Sequence, residues 1–180
     1  HHRGADREAI EIYDEVQELA KQMGSVELLA RARMNTANAL TGLGDLERAA
    51  TSARDAVDGY AALDDTWDLV DAIDVLAGAL GRAGRTAEAG WLYGGAAGLR
   101  AALAVRRPLT EEVDHQRTIE LARAFDPETF QTAYAEGVCA SLDQIVARAQ
   151  ARPGAAPADT TITTNARLAA TDVTRTGVTT

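Results

Sequence analysis

The sequence predicts an all-α fold of paired helices stacked in a repeat. Three observations predict it. Nearly half of the 180 residues are apolar, yet only 4 % are aromatic, and much of the apolar content is alanine, the strongest helix former and one that lets helices approach closely. The alternation of β-branched and aromatic residues that marks strands is missing until the last twenty residues. Gly4, Gly44 and Gly84 recur at a spacing of 40 residues, and a fixed period of that length is the mark of a stacked helical repeat.

Other positions keep the same register. Ala9, Ala49 and Ala89 follow the glycines, then Tyr13, Ala53 and Tyr93, then Val16, Ala56 and Ala96. The chemistry suits each place. Glycine ends a helix because it takes positive φ without steric cost. Asp45 suits the start of the next helix. The alanine sits where helices cross, and the residue four later fills the adjoining gap on the same face.

Taken in order, the pattern predicts helices over 5–23, 26–43, 45–62, 65–82, 85–104, 110–125, 127–137 and 141–151. The period breaks after Leu103, and Arg106-Arg107-Pro108 marks a turn. Thr110 with Glu111 and Glu112, Asp126-Pro127-Glu128, and Ser141-Leu142-Asp143-Gln144 are three successive start signals. Residues 3–104 thus form the helix pairs, 105–151 a helical cap over the end of the stack, and 152–180 a tail. That tail has nine threonines in its last 21 residues. It reads as a linker, or as a segment docking through Ile162, Leu168 and Val173. The first helix reads as the second half of a pair, as though the chain began in mid-repeat.

Asn35-Thr36-Ala37-Asn38-Ala39-Leu40 followed by Gly44 to Ala49, and Val75 to Leu80 followed by Gly84 to Ala89, resemble the tetratricopeptide repeat. Its familiar period is about 34 residues, so each pair here is longer. The resemblance implies a helical-hairpin solenoid with a C-terminal cap. It also implies that the first helix of each pair lines a concave groove. A second resemblance covers 26–150. Ala89-Gly90-Trp91-Leu92-Tyr93-Gly94-Gly95-Ala96-Ala97-Gly98-Leu99-Arg100, Phe130 to Gly137 and Ser141 to Val146 are similar to a region of large actinobacterial ATP-binding LuxR-type and antibiotic-regulatory proteins. There the region serves as a helical sensor or interaction arm. Nothing in the chain matches that family's ATPase motifs or its DNA-binding helices.

Charge and composition narrow the function. A net charge of −9 argues against a grip on nucleic acid, which needs clustered cations, and against an anionic membrane surface. The lone Cys139 excludes an intrachain disulfide and a cysteine zinc cluster. With no secretory signal or spanning segment read from the sequence, a cytoplasmic location is the expectation. Gly81-Arg82-Ala83-Gly84-Arg85-Thr86 lacks the lysine and spacing of a phosphate loop and reads as a helix–helix turn. Gly94, Gly95 and Gly98 read as close helix packing. His115 reads as solvated among acids, and no nucleophile–base–oxyanion set assembles around it or Cys139.

The expectation is therefore a non-catalytic interaction module without cofactor or metal. Its partner is a protein, a peptide or another domain of a parent chain, with self-association an alternative. Arg31, Asn35, Asn38, Trp67, Asp71 and Asp74 are the candidate groove residues. Asp68, Asp71 and Asp74 follow at one-turn spacing on one side of a helix, which favours a basic or polar partner over an acidic peptide end.

Overall fold

The computed structural model describes residues 2–152, apart from 64, 105, 106 and 108. It gives no side-chain placement for 2, 3, 109 and 110. Eight helices and no strand occur among the described residues: α1 (His2–Met23), α2 (Val26–Leu43), α3 (Leu46–Ala62), α4 (Thr66–Arg82), α5 (Thr86–Leu103), α6 (Leu109–Arg123), α7 (Pro127–Val138) and α8 (Leu142–Gln150). The tail and its three apolar anchors lie outside the described residues.

The turns follow local chemistry. Gly44 and Gly84 take positive φ between helices, at 87° and 75°. Gly4 does not: it lies inside α1, and Gly24 makes the first left-handed turn instead. A glycine inside a helix costs only about 1 kcal/mol relative to alanine, so the repeat of glycines did not require a break at each copy. Helix starts are fixed by side-chain oxygens. Ser25 accepts from the Leu28 amide, Asp65 from the Asp68 amide and Asp126 from the Thr129 amide. Ser141 and Gln144 close a reciprocal capping box. Asp45 precedes α3 but makes no such bond; its carboxylate pairs with Arg48.

Each helix from α1 to α5 packs on the next, while α2 also touches α4, and α4 touches α6. Helices α2, α4 and α6 therefore form one layer. The core runs between the layers and is filled by alanines with Leu40, Val57, Tyr60, Ile73, Leu76, Leu80, Leu92 and Tyr93. Helix α7 lies along α5, and α8 sits against both α3 and α5. The outer side of α1 leaves Ile12, Leu19 and Met23 exposed. No helix among the described residues is long and apolar enough to cross a membrane.

Candidate functional site

The row of carboxylates on α4 is the starting point. Asp74 lies one turn from Val70 and Ala77 on a stripe that is otherwise buried and apolar. A carboxylate there must find cationic partners or stay protonated. It finds two. Arg100, near the end of α5, and Arg107, just before α6, both reach Asp74 Oδ2. Arg100 also reaches Asp71, and Arg107 stands 3.5 Å from Glu112. One turn earlier, Asp68 lies 3.5 Å from Arg31, which pairs at 2.9 Å with Glu27 as well.

These pairs correct the reading of the row as a free acidic groove. Asp74 is buried and neutralised, and Asp71 is engaged by Arg100. The cause is distance in sequence: the guanidiniums come from α5 and from the turn before α6, whose position over α4 no local pattern announces. Burial raises the Asp74 carboxyl and Arg100 and Arg107 pull it part of the way back, leaving it at about 6, so it is mainly ionised at neutral pH. Its Oδ1 has no hydrogen-bond partner among the described residues.

Tyr93 and His115 complete the cluster. The Tyr93 hydroxyl is buried and unpartnered among the described residues. It approaches α4 so closely that a Cβ on Gly78 would lie 3.2 Å from it. Burial, then the Asp74 charge, push its ionisation up. The His115 ring meets the Tyr93 ring edge-on at 5.5 Å. His115 is therefore not solvated among acids, as its sequence neighbours suggest. Burial first, then Arg107 and Arg100, lower it to about 4, and its imidazole is neutral at pH 7.

A cleft of about 470 Å³ opens beside this cluster across α2, α4 and α6. Of the six groove candidates it brings together Asn38, Asp71 and Asp74, with Met34, Val75 and Leu121 as apolar lining and Glu111 and Asp114 as further carboxylates. Asn35, Arg31 and the exposed Trp67 do not line it. Arg100, Arg107, Tyr93 and His115 were not among the candidates. The signal that points to them is an aspartate interrupting the apolar stripe of α4, which demands cations from elsewhere in the fold. Cys139 is free and exposed at the end of α7. No group of three or more His, Cys, Asp or Glu among the described residues could hold a metal ion. Compared with protein-family models, curated proteins and solved structures, the chain finds no match.

Proposed function

We propose that the chain is a tetratricopeptide-like helical-hairpin solenoid acting as a non-catalytic interaction module, whose α2–α4–α6 face takes a basic protein segment. The observation that carries this reading is the cleft across those three helices. Its apolar lining of Met34, Val75 and Leu121 is bordered by Glu111 and Asp114, both exposed, which outnumber the one exposed cation of the lining, Arg82. Apolar contact gives such a face its affinity, and the acidic rim selects the sign of the partner. The network beneath it supports a binding role over a catalytic one, because Asp71, Asp74, Arg100 and Arg107 are engaged with one another. We further propose, from the resemblance of Ala89 to Arg100, Phe130 to Gly137 and Ser141 to Val146 to the arms of ATP-binding transcriptional regulators, that the module belongs to a larger regulator. There the partner is another domain or a separate protein.

Fluorescence anisotropy with a short lysine-rich peptide carrying one leucine anchor tests the face, with a glutamate-rich peptide as comparator. Replacing both exposed acids, Glu111→Lys and Asp114→Lys, is expected to weaken the basic peptide at least about tenfold at low salt. Equal affinity for the two peptides, or no loss in the double variant, overturns the assignment. Asp74 is unsuited to this test: placing lysine there breaks a buried ion pair and perturbs the fold itself.

A further inference from the structure

A second cleft, of about 410 Å³, lies between α5, α6 and α7 on the Arg100–Arg107 cluster. It differs from the first in its chemistry. Arg100, Arg107, Gln116 and Tyr134 supply donors, and Glu112 is the one carboxylate lining it among the described residues. Ala97, Ile119 and the two tyrosine rings supply apolar wall. Pockets of this size suit small organic ligands.

The charge balance sets the ligand's sign. Arg100 and Arg107 are nearly buried, with side-chain exposures of 12 % and 11 %. Among the described carboxylates of the cluster only Asp74 is comparably desolvated, at 9 %. Asp71 and Glu112 also pair with these guanidiniums but are about half exposed, at 55 % and 50 %, so water weakens their charge without removing it. The desolvated part of the cluster therefore holds two positive charges against one negative. Each guanidinium carries five N–H donors, of which the pairs to Asp71, Asp74 and Glu112 use only some. Planar guanidiniums match carboxylates in a two-pronged geometry. Beyond the effect of burial, the charges that lower the His115 ionisation are both guanidiniums, in line with a positive field at this point.

We propose that the α5–α6–α7 cleft binds a small organic monocarboxylate with an aromatic or branched apolar body, its carboxylate on Arg100 and Arg107 and its body against Tyr93, Tyr134 and Ile119. A single surplus charge favours a monoanion over a phosphate dianion. This cleft shares Tyr93, Arg107 and His115 with the face proposed for a basic segment. Glu111 and Asp114 line only that face and Gln116 only this cleft, so variants at those positions let either proposal fail without the other.

Isothermal titration calorimetry of benzoate into the full chain tests it, with benzamide, benzylamine and inorganic phosphate as comparators. Benzoate is expected to bind at least about tenfold more tightly than each of the other three. Gln116 is exposed on α6, so its variants should keep the fold, which thermal melts check. Gln116→Glu is expected to weaken benzoate at least about tenfold, while Gln116→Lys keeps or tightens it. The proposal is overturned if benzoate gives no binding heat or binds no better than benzamide or benzylamine. It is equally overturned if phosphate binds more tightly, or if Gln116→Glu leaves the affinity unchanged.

Discussion

At the scale of single residues, Asp74 and His115 titrate against each other within one cluster. Burial raises the Asp74 carboxyl from 3.8 to about 6. Between those values the folded chain keeps a proton that the unfolded chain has released, so this group's contribution to stability falls as pH rises. His115 is lowered from 6.5 to about 4. Across that window the unfolded chain holds a proton that the folded chain lacks, and the contribution rises with pH. The two windows nearly coincide and the slopes oppose. His115→Gln removes the rising component alone. Thermal melts between about pH 7 and about pH 4 should therefore show the variant gaining stability relative to wild type as pH falls. A difference that stays flat with pH would mean that His115 titrates normally.

Between elements, the packing of α5 on α7 rests on glycine. Gly90 and Gly98 each bring the helices so close that a Cβ would lie 2.7 Å from the Phe130 carbonyl or 2.6 Å from that of Val138. At Gly94 the added atom would meet the Tyr134 carbonyl, and at Gly137 that of Trp91. These neighbours are backbone and cannot swing aside. Gly84 is a contrast: it needs its positive φ of 75°, but nothing stands within 4 Å of its missing Cβ. Gly94→Ala is expected to cost about 3 kcal/mol through overpacking, against about 1 kcal/mol for Gly84→Ala through backbone strain. Urea unfolding of the two variants measures the difference, and a larger loss at Gly84 would contradict this account. The close approach at Gly94, Gly95 and Gly98 was legible in the sequence. Its partners were not: Gly94 and Gly98 face α7, whereas the Cβ of Gly95 would lie 2.9 Å from Ile145 on α8.

For the whole molecule, α8 ties separate helix pairs together. It contacts α3 and α5, and its Ile145 and Ala149 are fully buried. Arg152, just beyond it, reaches Asp55 at 2.8 Å and Asp58 at 3.2 Å on α3, though such exposed pairs add little. Ile145→Ala is expected to cost about 3 kcal/mol, the usual loss for a buried aliphatic side chain. Because α8 bridges two pairs, circular dichroism and tryptophan fluorescence should shift to one lower urea midpoint together, with the slope preserved. Two separated transitions would show that the pairs unfold independently and that α8 does not couple them.

The sequence by itself determined the helices and most of their ends. Caps at Ser25, Asp65, Asp126 and Ser141, and turns at Gly44 and Gly84, act through bonds and torsions within a few residues. Local energetics of that kind can be read from neighbours along the chain. The tertiary structure alone decided the electrostatic character of the site. Asp74 meets Arg107 from 33 residues away, and the His115 ionisation is lowered where the fold buries the ring beside two guanidiniums. Desolvation and ion pairing depend on what lies across space rather than along the chain. Of the acidic row that sequence spacing placed in a groove, Asp71 and Asp74 do line a cleft, but Asp74 is buried there as an internal brace between two guanidiniums.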